Sequence, residues 1–431
     1  MRIKARSRPT PSRPDRRQRI PPALTRGTER LEAISILDEI PTDLGLVLWR
    51  SARNVLLWAE TPPSSRGALF AGDAGSGRVQ LLSHLDAEPE LRAPLLVIAD
   101  LLARPASAGL LRVVNACRRI ALWAEGRGAL ATALEFTQAA ALASPDSASL
   151  AFAVGRLARR GADYDRAESW YTRAAIQARE NEDWRSYASA LAGMGNLHVQ
   201  RGNLPAARRV HLRCLQASTR HHVREMVAAS YHNLFGVAVE MQVGSDADPL
   251  AARALEAYRG DFAATRRLAY DVAYHWVQLG YFAGALKLAQ TLAPHVRDDL
   301  SVSAIVHGLI GRAAGGLGNA EVFDRATLDV DELLSSPAVH EEMTARTLLG
   351  LAHGALSLGR SAVSAAYADE VLSIARKRFE GRIVIEAEAL LDAARHEQGV
   401  ANRSTPVVTP VPELVEQFVE ALDSSPAYAG V

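Results

Sequence analysis

The sequence has little of several features that would each point to a particular class of protein. Its 431 residues contain two cysteines, Cys117 and Cys214, too few for a disulfide framework and without the spacing of metal ligands. Aromatic residues make up 6% of the chain, whereas hydrophobic residues make up 48%. Much of the apolar content is therefore alanine and leucine, which favour closely packed helices.

Long apolar runs are also missing. No window approaches the roughly 18 apolar residues of a membrane span, and prolines interrupt the region after the basic N-terminus where a signal peptide would need its apolar core. Only three of the 49 basic residues are lysines, a skew that points to a GC-rich, bacterial genome rather than to a binding function. We expect a cytoplasmic protein without a membrane segment.

Residues 1–28 form an arm rich in arginine and proline, and we expect it to be disordered. The first 30 residues carry a charge of +8, which leaves −7 for the rest of a chain whose net charge is +1. The arm is the one segment that suggests contact with nucleic-acid phosphates. A solvated tail, or a start codon assigned too far upstream, explains it better, because it lacks interleaved aromatics for base stacking.

Residues 29–111 have an irregular helical pattern. A short amphipathic helix is expected over 31–40 and a longer one over 43–60, each ended by proline. A glycine-rich loop is expected over 67–77, followed by a helix over about 90–102.

From Arg112 onward the sequence contains an internal repeat. Midway along each first helix, a larger apolar residue precedes a small one, and another small residue follows twelve positions later on a second helix. Small side chains at both places allow antiparallel helices to approach closely. Glycines are expected to end the first helices in the left-handed conformation. The adjacent pairs are Val154-Gly155, Met194-Gly195 and Ile310-Gly311, the later small residues are Ala167, Ala207 and Ala285, and the turn glycines are Gly128, Gly202, Gly280 and Gly318.

This pattern resembles the tetratricopeptide repeat family, which repeats a helix–turn–helix unit of about 34 residues. The best copies are Tyr164–Ala167 and Gly193–Leu197. The resemblance implies an all-α protein, an α-solenoid with a right-handed superhelix of about seven helix pairs over 112–377. A capping helix is expected within 378–400, and a linker with a short C-terminal helix within 401–431.

One stretch is close to a phosphate-binding loop. Gly72–Val79 is glycine-rich, but Arg78 and Val79 stand where the loop needs a lysine for the phosphates and a serine or threonine for magnesium. No parallel α/β pattern surrounds it. We therefore interpret it as a loop between two helices, and predict no nucleotide and no other cofactor.

Histidines cluster at 198, 211, 221, 222 and 232. In the repeat frame His198 and His211 face each other across one helix pair, where aromatic residues usually lie. Core histidines bonded to their neighbours explain this arrangement better than a metal or pH-sensing site, which would need further ligands. No nucleophile elbow or Cys–His arrangement is recognisable. The sequence predicts no metal site, no catalytic residues and no enzyme activity.

In this family the first helices of the pairs line a groove, in which peptides or partner helices lie. The expected groove residues are mainly arginine, amide and aromatic, with few acids, so the expected ligand is an acidic or C-terminal peptide segment. Asn196 matches the family's groove asparagine, and the others follow from helix geometry. The groove residues are Arg118, Phe152, Arg156, Arg159, Asn196, Gln200, His232, Arg267, Tyr270, Tyr274, Gln278 and Arg312.

These observations favour a scaffold or adaptor that binds proteins and performs no catalysis. A second hypothesis is a ligand- or peptide-responsive regulator without a DNA-binding domain of its own. A third is a nucleic-acid-associated protein that acts through the basic arm.

Overall fold

In the computed structural model, every regular element that the described residues form is helical. The structure describes residues 34–40, 42–84, 89–242, 244–336, 339, 341–378, 380–396 and 413–424. The expected disorder of residues 1–28 and the expected linker over 401–412 both lie outside the described residues. So does the arm on which the nucleic-acid hypothesis depends.

In the part of the chain that the structure describes, four α-helices precede the repeats. They are α1 (Ile34–Glu39), α2 (Thr42–Glu60), α3 (Ala74–His84) and α4 (Pro89–Ala103), with a 3-10 helix over Pro63–Ala68. The end of α1 is anchored on the first repeat, because the Glu39 carboxylate accepts the backbone N–H of Thr132 at 2.8 Å and that of Ala131 at 2.7 Å. A carboxylate at a helix N-terminus satisfies free N–H groups and complements the helix dipole.

Seven antiparallel helix pairs follow. The pairs are α5 (Leu110–Gly126) with α6 (Leu130–Ala143), α7 (Ala148–Arg160) with α8 (Tyr164–Glu180), α9 (Trp184–Gln200) with α10 (Leu204–Arg220), α11 (Arg224–Glu240) with α12 (Gly244–Ala257), α13 (Phe262–Gln278) with α14 (Phe282–Leu292), α15 (Leu300–Gly316) with α16 (Ala320–Leu334), and α17 (Glu341–Ser357) with α18 (Ser361–Lys377). The predicted all-α fold of about seven helix pairs is confirmed.

Side-chain caps set where many of these helices begin. Asp163, Asp183, Asn203, Asp261 and Asn319 each precede a helix, and each accepts a hydrogen bond from the backbone N–H three residues later. Such a bond satisfies one of the four N–H groups that a helix start leaves without an intrahelical partner. The sequence thus fixes the helix starts locally, residue by residue.

Each turn inside a pair contains one residue with a positive φ. Glycine holds this position in five pairs, which include the four glycines predicted at 128, 202, 280 and 318. In the other two pairs it is held by Ala162 (φ 60°) and Gln242 (φ 58°). A side chain in the left-handed region is strained by about 1–2 kcal/mol, because its Cβ crowds the backbone.

Replacing Ala162 by glycine is therefore expected to raise the free energy of unfolding by about 1 kcal/mol, since the strain it removes exceeds glycine's extra unfolded-state entropy. Urea unfolding monitored by circular dichroism measures the change. Ala175→Gly is the matched control: Ala175 lies inside α8, where glycine is expected to lower stability by a similar amount. Destabilisation by both substitutions would contradict the prediction.

The chain forms two compact units, Met1–Met226 and Val227–Val431. In unit 1 a single apolar core joins the N-terminal helices to the first repeats, with Trp58, Trp170 and Phe136 fully buried. The indole N–H of Trp58 donates to the carbonyl of Pro105 at 2.8 Å, which fixes α2 against the segment after α4.

The predicted loop over 67–77 is wrong at its C-terminal end, because α3 begins at Ala74. A Cβ at Gly75 would lie 2.8 Å from the carbonyl oxygen of Ala99, so glycine is required there for α3 to pack against α4. Arg78, in the place of the phosphate-binding lysine, is buried, and burial lowers its pKa. The glycines that suggested a phosphate loop include one that serves helix packing.

In the middle repeats of unit 1, aromatic side chains fill the space that glycines leave. A Cβ at Gly155 would lie 2.7 Å from the ring of Tyr171, and one at Gly195 would lie 2.7 Å from Nδ1 of His211. His211 is a core residue as predicted, but neither of its ring nitrogens has a hydrogen-bond partner.

Among the described residues of unit 2, two further helices follow the pairs. Helix α19 (Gly381–Arg395) packs on α18 and buries Leu390 and Leu391, and helix α20 (Glu413–Asp423) packs back on α12, α13 and α14. The apolar face of α20, with Val415 and Phe418, is fully buried, and Glu416 forms an ion pair with Lys287 of α14. No helix in the described part of the chain is long and apolar enough to cross a membrane.

Candidate functional site

A cleft of about 370 Å³ lies in unit 2 and is lined by the first helices of four pairs and by α19, the helix that follows the last pair. These helices are neighbours, since α13 contacts α15, α15 contacts α17, and α17 contacts α19. Side chains one or two turns apart on each helix therefore face a shared space. The lining residues come from α11, α13, α15, α17 and α19, five elements that span about 150 residues of sequence.

One wall of the cleft is aromatic. The rings of Tyr270 and Tyr274, one turn apart on α13, are stacked with centroids 6.2 Å apart, and the guanidinium of Arg312 lies 5.7 Å from the Tyr274 ring centroid. Burial raises the pKa of Tyr270, so its hydroxyl stays protonated. An arginine over a tyrosine face adds a cation–π attraction.

An ion pair joins the first and last of the five helices. Nη1 of Arg382 on α19 lies 2.9 Å from Oε1 of Glu240 on α11, although the two residues are 142 positions apart in sequence. Both side chains are more than 40% exposed, so the pair contributes little stability but can be exchanged for contacts with a ligand.

A second acidic residue in the cleft is held more firmly. Oε1 of Glu386 lies 2.8 Å from Nε2 of His353 and 3.9 Å from Nη1 of Arg312. The hydrogen bond from His353, together with the nearby positive charges, holds the pKa of Glu386 below its usual range. Burial lowers the pKa of His353 and outweighs the opposing effect of Glu386. This carboxylate remains ionised and is already satisfied inside the protein.

The third carboxylate orients a histidine. Oδ2 of Asp271 lies 2.8 Å from Nε2 of His232, whose Nδ1 lies 3.2 Å from the hydroxyl of Tyr258. Burial raises the pKa of Tyr258 to about 12, which keeps this hydroxyl protonated. The chain of bonds ties α11 and α13 to Tyr258, the residue that follows the second helix α12.

His275 is different from the other polar residues of the cleft. Its side chain is 5% exposed, and its ring packs edge-on against Phe235 with centroids 5.8 Å apart. Nε2 is buried and has no hydrogen-bond partner. Burial lowers the pKa of His275, so the ring is neutral at physiological pH.

Half of the predicted groove residues lie in unit 2, and the structure brings most of them together. Five line the cleft: His232, Tyr270, Tyr274, Gln278 and Arg312. Arg267 is on the same helix α13 but exposed and outside the lining. The expectation of few acids is wrong for this cleft, because three carboxylates line it beside three arginines.

The other six predicted groove residues lie in unit 1. Phe152 packs against Tyr171 with ring centroids 5.8 Å apart. Arg156 forms a two-pronged ion pair with Glu125, at 2.7 and 2.8 Å, and this pairing lowers the pKa of the carboxyl. Arg159 and Asn196 are half-buried, whereas Arg118 and Gln200 are exposed. The Arg156 guanidinium is thus committed to a neighbouring helix rather than open to a ligand.

Several cleft residues were missed in the sequence. They lie on all five helices, and they include every lining residue of α17 and α19, where the repeat is weak or was expected to be only a cap. Extending the inward register of α13 to the later helices would have indicated Arg346 and Leu349. The missed polar residues are Glu240, Asp271, His275, Arg346, Arg382 and Glu386.

The cleft can bind a ligand by stacking, ion pairing and hydrogen bonding. Within the described ranges no cluster of three or more histidine, cysteine or acidic side chains is placed to hold a metal ion. Asp271 and Glu386 each contact a histidine of the protein, namely His232 and His353.

The sequence matches no family model and no curated protein. Solved structures with a similar arrangement include a Rap protein complexed with competence and sporulation factor, with 13% identity over 78% of this chain and 99% of that one and a TM-score of 0.47. The apo form of RapI has 14% identity over 66% of this chain and 98% of that one, with a TM-score of 0.44. BtubC from P. vanneervenii has 14% identity over 53% of this chain and 91% of that one, with a TM-score of 0.40.

These TM-scores are all below 0.5, so the description of the architecture rests on the helix pairs of this chain and not on the comparison. The seven antiparallel pairs, their turn residues and the layer of first helices make it an all-α helical-repeat protein.

Proposed function

We propose that this chain is a binding protein without catalytic activity of its own, and that the unit 2 cleft holds a short peptide segment of a partner protein. The observation that carries the proposal is the convergence of four first helices and α19 on one cleft with a stacked tyrosine pair and three arginines. Aromatic and arginine side chains are the commonest energetic anchors of protein interfaces.

The ligand's charge follows from which cleft groups can change partner. Glu386 and Asp271 are held by His353 and His232, whereas Glu240 and Arg382 form an exposed pair. A ligand carboxylate can replace Glu240 at Arg382 and also approach Arg346, and arginine binds carboxylates through two parallel hydrogen bonds. We therefore propose an acidic or C-terminal peptide segment as the ligand.

Selection from a peptide library displayed with free C-termini, followed by calorimetry on the best binders, tests the proposal. Arg346→Glu is expected to weaken binding at least about 30-fold, because reversing an interface charge removes an attraction and adds a repulsion. Arg267→Glu makes the same change on α13 outside the cleft lining and is expected to leave affinity within about threefold.

Two results would contradict the proposal. One is failure of the wild-type protein to select any peptide. The other is equal binding by the wild type and Arg346→Glu. A loss of affinity in Arg267→Glu alone would place the binding surface elsewhere on α13.

A peptide-responsive regulator is the second candidate, and the Arg382–Glu240 pair favours it. A ligand carboxylate that takes the place of Glu240 would separate α19 from α11, the two ends of the cleft. A ligand shifts a conformational equilibrium only through such a difference in contacts. Peptide-dependent hydrogen exchange confined to α11 and α19 would support this candidate, and uniform protection of all five helices would favour the adaptor.

A further inference from the structure

Among the described residues, His275 contributes to the cleft lining a buried polar atom that the protein itself leaves unsatisfied. Nε2 of His275 is buried without a hydrogen-bond partner, on a side chain that is 5% exposed and lines the cleft. A buried polar atom without a partner lowers stability by about 1–3 kcal/mol, so most such atoms in folded proteins are paired. Because His275 also lines the cleft, a ligand whose polar group reaches this ring can supply the missing partner.

The surroundings of His275 define what kind of ligand group fits. Its ring lies against the ring of Phe235, and the cleft lining also includes the aliphatic side chains of Val239, Leu309 and Leu349. These apolar groups favour burial of an apolar or aromatic body. Only the end of such a ligand side chain would meet a polar partner, the ring nitrogen of His275.

The neutral state of His275 limits the chemistry of that end. A neutral imidazole nitrogen is a donor in one tautomer and an acceptor in the other. A hydroxyl group satisfies either tautomer, since it can both donate and accept. A carboxylate or phosphate can only accept, and it would bring a charge next to the Phe235 ring rather than to the arginines.

We propose that His275 and Phe235 form a subsite that takes a tyrosine side chain of the bound peptide, with the phenol hydroxyl bonded to Nε2 of His275. This inference rests on the proposed function, because it names a side chain of the peptide assigned to the same cleft. The arginines bind the carboxylate of the peptide, and the His275 subsite selects one of its side chains.

The size of the expected selectivity follows from the unpaired nitrogen. A site built to bond a hydroxyl discriminates strongly against an analogue without it, because the buried group is then left without a partner. A net hydrogen bond of about 1.5 kcal/mol corresponds to a preference of about tenfold, and larger values arise in fully buried sites. We expect at least about a tenfold preference for tyrosine over phenylalanine.

Two small probes test the subsite on the full-length protein. N-acetyl-L-tyrosinamide and N-acetyl-L-phenylalaninamide are titrated separately while the methyl NMR signals of Leu309 and Leu349 are monitored. The tyrosine probe is expected to shift these signals with a dissociation constant at least about tenfold lower than that of the phenylalanine probe.

His275→Phe and His275→Leu remove the nitrogen and keep an apolar side chain, and both are expected to abolish the preference. Two variants are used because one of them can pack poorly against Phe235. Each is also expected to be at least as stable as the wild type, since an unsatisfied buried atom has been removed. Arg267→Ala, at an exposed position on α13 outside the cleft lining, is the control and is expected to keep the preference.

The outcomes separate the subsite from the cleft. Equal affinity for the two probes in the wild type overturns the tyrosine subsite and leaves the proposed peptide-binding function standing. The same holds if library peptides bind but neither probe does. If neither the probes nor any library peptide binds, both proposals are overturned.

Discussion

Replacing Gly308 by alanine is expected to lower the free energy of unfolding of unit 2 by about 2 kcal/mol. Gly308 is in the middle of α15, where a Cβ would lie 2.6 Å from the carbonyl oxygen and 2.9 Å from Cα of Thr347 on α17. Both atoms belong to the backbone of a helix, so they cannot move aside as a side chain can. The substitution therefore forces α15 and α17 apart.

Two effects of opposite sign compete in this variant. Alanine favours a helix by about 1 kcal/mol relative to glycine. Overpacking a close contact destabilises by about 3 kcal/mol when backbone must shift. The packing effect dominates because the contact is repeated along the interface, where a Cβ at Gly350 would lie 2.5 Å from the carbonyl oxygen of Gly308.

Hydrogen exchange measured by mass spectrometry gives the local stability of α15 and α17. Gly236→Ala is the matched control, because Gly236 is inside α11 and a Cβ there would meet no atom within 4 Å. This control is expected to stabilise by up to about 1 kcal/mol. If Gly308→Ala were as stable as Gly236→Ala, the close approach of α15 and α17 would not be a feature of the molecule.

The same variant connects packing to the cleft. Leu309 and Leu349 line the cleft, next in sequence to glycines that hold α15 and α17 together. Separation of the helices widens this part of the cleft. Peptide affinity is therefore expected to fall in Gly308→Ala although no residue that lines the cleft has been replaced.

The helix pairs could be predicted because their determinants are local. A small residue beside a larger one, as in Val154-Gly155 and Ile310-Gly311, indicates where helices approach, and the turn glycines indicate where the chain reverses. The contact of α15 with α17 also depends on Gly308, which follows His307 rather than a larger apolar residue and stands outside that pattern. Left-handed Ala162 and Gln242 could not be anticipated, because neither residue favours the conformation that the repeat imposes on it.

The cleft was predictable only in part, for a different reason. Helix periodicity indicates that Tyr270, Tyr274 and Gln278 share a face, and the structure places all three in the cleft lining. The partners of that face depend on how far the array curves. Arg382 meets Glu240 across 142 residues, and nothing near either residue in the sequence signals the contact.

The stability of unit 1 is expected to fall by about 3 kcal/mol between pH 7 and pH 4, because of His211. The side chain is fully buried in α10 against Gly195. Burial, and to a smaller extent the charge of His198, lowers its pKa from 6.5 to about 4. Below pH 6.5 the unfolded chain binds a proton at this position. The folded chain does not bind it until the pH falls to about 4.

The sign follows from this difference in proton binding. The folded pKa is lower than the unfolded value, so the contribution of His211 is complete above pH 6.5 and is lost as the pH falls towards 4. A difference of about 2.5 pKa units multiplied by about 1.36 kcal/mol gives roughly 3 kcal/mol.

Hydrogen exchange of α9 and α10 at several pH values isolates this effect from His275 and His353, whose pKa values are also lowered but which lie in unit 2. His211→Leu is expected to remove most of the pH dependence of these two helices. At pH 7 it should be about as stable as the wild type, since an apolar side chain replaces two unpaired nitrogens.

His198→Gln is the control that separates the two causes of the low pKa. It removes the charge of His198 but leaves His211 buried, so most of the pH dependence should remain. An equally large effect of the two substitutions would mean that charge repulsion, rather than burial, controls the site. If His211→Leu kept the wild-type pH profile, the acid sensitivity of unit 1 would have its origin in other groups, and His211 would have to gain a partner when protonated.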